Sequence, residues 1–97
     1  PAAAPTISIY VMGEAAKSGK ISVAPGTTML QMFAEMGGFS KFAATKRIQL
    51  RRADKASGTE KVYSFNYKDI ENGSSNAGNT TLMDGDVVLV PQRKLFE

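Results

Sequence analysis

The residues of this chain that could do chemistry are arginine, lysine, tyrosine and the carboxylates, because it contains neither histidine nor cysteine. Lack of histidine removes the usual general base and metal ligand. Lack of cysteine removes thiolate zinc sites, thiol nucleophiles and disulfides, and is neutral about redox compartment. A nucleophile–base pair would have to come from carboxylates or lysine, so we expect a non-enzymatic protein with no cofactor and no metal site. Lys46, Arg47, Arg51 and Arg52 could hold an acidic glycan or a phosphate. The same charges also suit a solvated strand edge that resists edge-to-edge pairing. Tyr63, Phe65 and Tyr67, with Tyr10, could stack on sugar rings, although half-buried strand packing asks for the same residues. Asp84-Gly85-Asp86 offers oxygens to calcium but lacks the further ligands of a binding loop, and reads as a turn before a strand. Ser18-Gly19-Lys20 lacks the glycine-rich spacing of a phosphate loop, and no helix starts there. Met29, Met32 and Met36 suit either a core or an adaptable protein–protein surface.

The element that must position these groups is the segment from Pro25 to Gly38. Thr28 followed three residues later by Gln31 is a capping box, and Gly37-Gly38 supplies the stop. At about 100° per residue, Met29, Leu30, Met32, Phe33, Ala34 and Met36 sweep an apolar arc of roughly 200° centred on Phe33. Gln31 and Glu35 face the other way. So short a helix must lie across a sheet, and its wide arc leaves a flank for something else.

Strands flank it on both sides. Thr6 to Gly13 alternates, with Ile7, Ile9 and Val11 on one face and Thr6, Ser8, Tyr10 and Met12 on the other. Glu14 to Lys20 is a turn, and Ile21-Ser22-Val23 returns antiparallel as a hairpin. Phe39 to Lys46 is expected to make a second short helical turn placed by Phe39 and Phe42. Arg47 to Arg52 alternates, with Ile48 and Leu50 inward and Arg47, Gln49 and Arg51 outward. A polar loop over Asp54 to Glu60 leads to an aromatic strand, Lys61 to Tyr67, with Tyr63, Phe65 and Tyr67 on one side. Tyr67 to Asn72 suits one helical turn ended by Gly73, and Gly73 to Thr81 reads as the most mobile loop. Val87 to Val90 is an unbroken apolar run, mostly β-branched, expected to be buried on both faces. The tail retains Leu95 and Phe96, which could dock against something.

With 97 residues there is room for one domain and one core, and 42% hydrophobic content suits a globular protein. No apolar run is long enough to span a membrane, and no signal segment opens the chain. Pro1-Ala2-Ala3-Ala4-Pro5 at the start suggests an excised domain or a processed product. The net charge of +3 comes from twelve basic and nine acidic residues spread along the chain, which is no nucleic-acid footprint.

Five strands and one helix in the order ββαβββ, with the most apolar strand last, indicate an α+β β-grasp domain, a ubiquitin-like roll. About five strands form a mixed sheet, the last one central, with the helix across one face. Gly13-Glu14, Gly19, Pro25-Gly26-Thr27-Thr28, Gly37-Gly38-Phe39, Ile48-Gln49-Leu50-Arg51-Arg52 and Gly85-Asp86-Val87-Val88-Leu89-Val90-Pro91 together resemble the SLBB domain, the soluble-ligand-binding β-grasp. The flavour is similar to that in outer-membrane polysaccharide export proteins of bacteria. Two departures stand out: Lys17-Ser18-Gly19 replaces a more common Lys-Pro-Gly, and the helix is rich in methionine. The resemblance covers residues 6–92, leaving 1–5 as a linker and 93–97 as a tail. It makes Gly13, Gly19, Gly26, Thr28, Gly37, Gly38, Gly85 and Asp86 the structural motif.

What the resemblance implies is a periplasmic, outer-membrane-associated module of a capsule or exopolysaccharide transport apparatus. Its partners would be other copies of the parent chain in a ring, with the polysaccharide and an inner-membrane polysaccharide co-polymerase as further ones. The isolated domain would be a monomer. The alternative is a stand-alone domain that binds a soluble ligand or a glycan. Candidate binding residues are Arg47, Arg51, Arg52, Tyr63, Phe65 and Tyr67.

Overall fold

A computed structural model describes residues 5–96. Most of the expected linker, and the last residue of the tail, fall outside the described residues.

The strands β1 (Ile7–Gly13), β2 (Gly19–Val23), β3 (Ile48–Asp54), β4 (Thr59–Phe65) and β5 (Val87–Val90) form one sheet in the order β2-β1-β5-β3-β4. β1 and β5 run parallel and every other neighbouring pair is antiparallel. The last strand is therefore central, as its β-branched composition predicts. Register places Val11 beside Val88, Val88 beside Leu50, and Leu50 beside Tyr63, so one row of side chains crosses most of the sheet on the core face. Because strand side chains alternate, Ile9, Val11, Ile48, Leu50, Val88 and Val90 all lie on that face, and all are buried.

Helix α1 (Met29–Glu35) covers the core face. Both bonds of the capping box form: Gln31 N donates to Thr28 Oγ1, and Thr28 N donates to Gln31 Oε1. Beyond the helix, Gly37 and Gly38 take φ of 76° and 83°, and Gly38 N–H closes on the Phe33 carbonyl. That left-handed pair turns the chain out of the helix. Met29, Met32 and Met36 are each 0% exposed, so the methionines are core and not a partner surface. The flank left over from the wide apolar arc is instead Leu30 with Ala34, both exposed. Phe33 stacks edge-on against Phe39 and Tyr67, with ring centroids 5.3 and 5.4 Å away. An edge-to-face pair contributes about 0.5–1.5 kcal/mol beyond area burial.

Gly13 closes β1 against the central strand. Its φ is +91°, and a Cβ there would collide with the Val90 carbonyl oxygen. That oxygen accepts Glu14 N–H at 2.8 Å, so the close approach is part of the β1–β5 ladder. The other motif glycines Gly19, Gly26 and Gly85 also have positive φ.

Four local expectations are corrected. Phe39 to Lys46 forms turns and isolated bridges, not a helical turn, and Phe42 is half exposed. The bridge from Ala15 to Phe39 and the bonds from Ser40 N to Glu14 O and Ala44 N to Pro91 O tie this stretch to neighbouring strands, which compete with a local helix. β5 is buried on one face only: Val88 and Val90 are inside, whereas Val87 and Leu89 are half-buried because no second layer among the described residues covers the far side. The aromatic strand ends at Phe65, not Tyr67, which opens the expected helical turn, α2 (Tyr67–Glu71), since Asn66 caps the backbone of Lys68 and Asp69. Arg47 is half-buried, not solvent-pointing, and donates to the Gln92 carbonyl at 3.1 Å.

The stretch after Gly73 is tied down at several points. A 3₁₀ turn at Ala77–Asn79 touches α1, Ser75 N bonds to Asp69 O, and Met29 N bonds to Thr80 O. Leu95 and Phe96 are 88% and 97% exposed, so neither is buried against the described residues.

Candidate functional site

The polar groups concentrate where the β3–β4 turn faces the tight turn before β5. Strand alternation puts Arg52 on the same face as Ile48 and Leu50, an inward position that a guanidinium can occupy only with a partner. Asp86 supplies it. The carboxylate is 1% exposed, and its Oδ1 and Oδ2 accept from Arg52 Nε and Nη2 at 3.0 and 2.7 Å. Met83 N–H also donates to Oδ2 at 2.9 Å, and Arg52 Nη2 reaches the Thr81 carbonyl at 3.0 Å. The Asp86 hydrogen bond, and secondarily its charge, raise the Arg52 pKa above its usual value against the opposing effect of burial. The bidentate pair joins β3 to the 83–86 turn and commits both Asp86 oxygens to the fold.

Asp84 is also committed in part, because its Oδ1 accepts Ser8 N–H at 2.7 Å. The Asp84-Gly85-Asp86 stretch is thus a turn whose carboxylates bind the fold. Asp54 accepts Ala56 N–H at 3.0 Å across the β3–β4 turn. That bond, with the Ser57 hydroxyl and backbone N–H, lowers its pKa below the ordinary 3.8.

Above the ion pair lies an open cleft of about 690 Å³, lined by Tyr63 and Lys61 from β4, Asp54 from the end of β3, Lys55 from the turn, and Met83 and Asp84 opposite. Tyr63 is 40% exposed and Met83 56%. The Arg52 guanidinium sits 5.9 Å from the Tyr63 ring centroid, within cation–π range.

The six candidate binding residues do not converge. Arg51 and Arg52 are neighbours in a strand and project to opposite faces. Arg51 lies on the face away from α1, bonded to Gln49 Oε1 and 3.7 Å from Glu60. Arg47 sits at the other end of β3, against the tail. No anion site is assembled from the three arginines. Tyr63 reaches the cleft, but Phe65 is 5% exposed and pairs with Ile48 in the core. Tyr67 joins Phe33 and Phe39 beside α1, lining a second groove of about 380 Å³. Met83, Lys55 and Lys61 were not legible as site residues, because the cleft joins segments about thirty positions apart. The Arg52–Asp86 pair did leave a signal: an arginine at an inward position of an alternating strand calls for a buried carboxylate.

A family model, the SLBB domain, matches residues 8–90. The chain belongs to the SLBB domain family. The match takes in every strand from Ser8 onward, the helix and the ion pair, and the family is one of binding modules, not catalysts. Comparison with curated proteins finds no match. Among the described residues no helix of this SLBB domain is long and apolar enough to cross a membrane.

Proposed function

We propose that this SLBB domain is a non-catalytic binding and assembly module of a polysaccharide export protein in the bacterial envelope. It works in the periplasm through contacts with other copies of its parent chain. The observation that carries this reading is the uncovered face of the sheet. Helix α1 shields one side only; on the other, Tyr10, Met12 and Val62 are 43%, 55% and 50% exposed around half-buried Val87 and Leu89. Register sets Tyr10, Val87, Arg51 and Val62 in one row and Met12, Leu89, Gln49 and Ser64 in the next. Apolar side chains grouped around an arginine, with polar neighbours at the edge, have the make-up of a contact surface. A ring requires one face of a subunit to meet a different face of the next. Such a contact is weak in the isolated domain and strengthened by the high effective concentration within a parent assembly.

The test uses the full-length parent chain carrying Tyr10→Glu, Met12→Glu and Arg51→Glu together. Sedimentation should show loss of the assembled ring and export should fall, while the 97-residue domain with the same changes stays folded and monomeric at micromolar concentration. A parent that assembles and exports normally would refute the assembly reading. The second reading, a domain that binds a soluble glycan, is supported by the cleft at Tyr63.

A further inference from the structure

We propose that the cleft between the β3–β4 turn and the 83–86 turn binds one uncharged pyranose ring, stacked on Tyr63 and hydrogen-bonded by Lys55, Lys61 and Asp84. This names the ligand class of the glycan-binding reading above and rests on it, but it is independent of ring assembly. Three observations lead there.

The first is preorganisation. Arg52 is fixed by two bonds to Asp86 and a third to Thr81, and it stands beside the Tyr63 ring. The platform is held before any ligand arrives, which lowers the ordering cost of binding.

The second is amphipathic lining. An exposed tyrosine and an exposed methionine share the cleft with groups that donate and accept hydrogen bonds. A pyranose has the matching character, with C–H groups on one face and hydroxyls around the rim. The cleft is also within the roughly 300–1,000 Å³ typical of small-molecule sites. Among the described residues neither Lys55 nor Lys61 makes an ion pair, and Asp84 Oδ2 accepts no hydrogen bond, so donors and an acceptor remain for hydroxyls.

The third is charge balance, which decides the class of sugar. The lining contains three cations, Arg52, Lys55 and Lys61, and three carboxylates, Asp54, Asp84 and Asp86. Arg52 and Asp86 cancel each other at the floor, leaving two charges of each sign around the rim. A cleft with no net charge supplies no attractive field for a polyanion, and a uronate or phosphate would meet Asp54 and Asp84 as well as Lys55 and Lys61. An acidic glycan therefore gains no electrostatic advantage over a neutral one here, despite the basic character of the whole chain.

Methionine supplies the readout. The five methionines fall in separate environments: Met83 in the cleft, Met12 on the open sheet face, and Met29, Met32 and Met36 in the core. With ¹³C-methyl methionine in the 97-residue chain, cellotetraose and mannotetraose are titrated as neutral probes, and trigalacturonate and a chitosan tetramer as charged ones. A neutral probe should shift the Met83 methyl saturably, with Kd on the order of 1 mM. Tyr63→Phe should keep that affinity and Tyr63→Ala should weaken it by about tenfold or more. Unchanged core methionine signals in each variant establish that it is folded. The proposal is overturned if neither neutral probe moves Met83 at about 20 mM, if trigalacturonate or chitosan binds more tightly, if Met12 responds in its place, or if Tyr63→Phe loses as much as Tyr63→Ala. A silent Met83 leaves the assembly reading intact, because sedimentation of the parent chain tests that separately.

Discussion

Replacing Asp86 by alanine tests the ion pair that fixes the floor of the cleft. In the native fold Asp86 is 1% exposed and accepts three hydrogen bonds, two from Arg52 at 3.0 and 2.7 Å and one from Met83 N–H at 2.9 Å. Its removal strands a guanidinium and a backbone donor. Hydrogen bonds to charged groups contribute about 1.5–3 kcal/mol each, and breaking a buried pair from one side costs about 3–5 kcal/mol. The Arg52 side chain is 24% exposed, so water replaces part of what it loses, and the expected cost drops to about 2–4 kcal/mol. For a domain of this size that lowers the melting temperature by roughly 8–30 °C. A total stability of about 5–15 kcal/mol leaves the variant measurable in most of that range. Urea denaturation followed by far-UV circular dichroism gives the free energies for Asp86→Ala, Arg52→Met and the double variant. The cycle should return a coupling above about 1.5 kcal/mol, because the two groups share two bonds. Arg52→Met with Asp86→Leu should recover stability relative to either charge left alone, since apolar replacement of both partners removes the stranded group. A cost below about 1 kcal/mol for Asp86→Ala, or a coupling under about 0.5 kcal/mol, would refute the account of this pair.

Phe33→Ala should cost about 3–5 kcal/mol, because Phe33 is 4% exposed and holds both Phe39 and Tyr67 edge-on; a melting curve within a few degrees of wild type would contradict the helix register. Gly13→Ala should destabilise far more than Gly26→Ala. Both have positive φ, a strain of about 1–2 kcal/mol for alanine, but only at Gly13 does the new Cβ meet backbone. Equal losses on thermal melting would show that the β1–β5 approach is slack. Asp54 is held below its ordinary 3.8, so its support of the β3–β4 turn is complete above the unfolded value and disappears as pH falls through the folded one. A carboxyl titration by NMR should place its midpoint under 3.8, and a midpoint at or above that value counts against the turn bonds.

The architecture was legible to the extent that local signals agreed with long-range ones. Thr28, Gln31 and the Gly37-Gly38 pair mark the helix because capping is satisfied within a few residues of chain. Ile9, Val11, Ile48 and Leu50 alternate because one face of their strands is buried. The segment from Phe39 to Lys46 was not legible, since its backbone bonds go to Glu14 and Pro91, which its own sequence cannot specify. Tyr67 was legible both as the end of the aromatic strand and as the start of a helical turn, and the Asn66 cap with the packing against Phe33 and Phe39 decides for the helix.

The sequence by itself determined the class of protein. The ββαβββ order and the spacing of the turn glycines are properties of the chain, and they lead to a β-grasp of the SLBB family. Only the tertiary structure decided what the polar and aromatic residues do. Arg51 and Arg52 are adjacent in sequence yet lie on opposite faces of the sheet, one beside Glu60 and the other bonded to buried Asp86. Tyr63 and Met83 become neighbours across one cleft because β5 inserts between β1 and β3. That juxtaposition depends on strand order and register, which residue types constrain only through the burial they make possible.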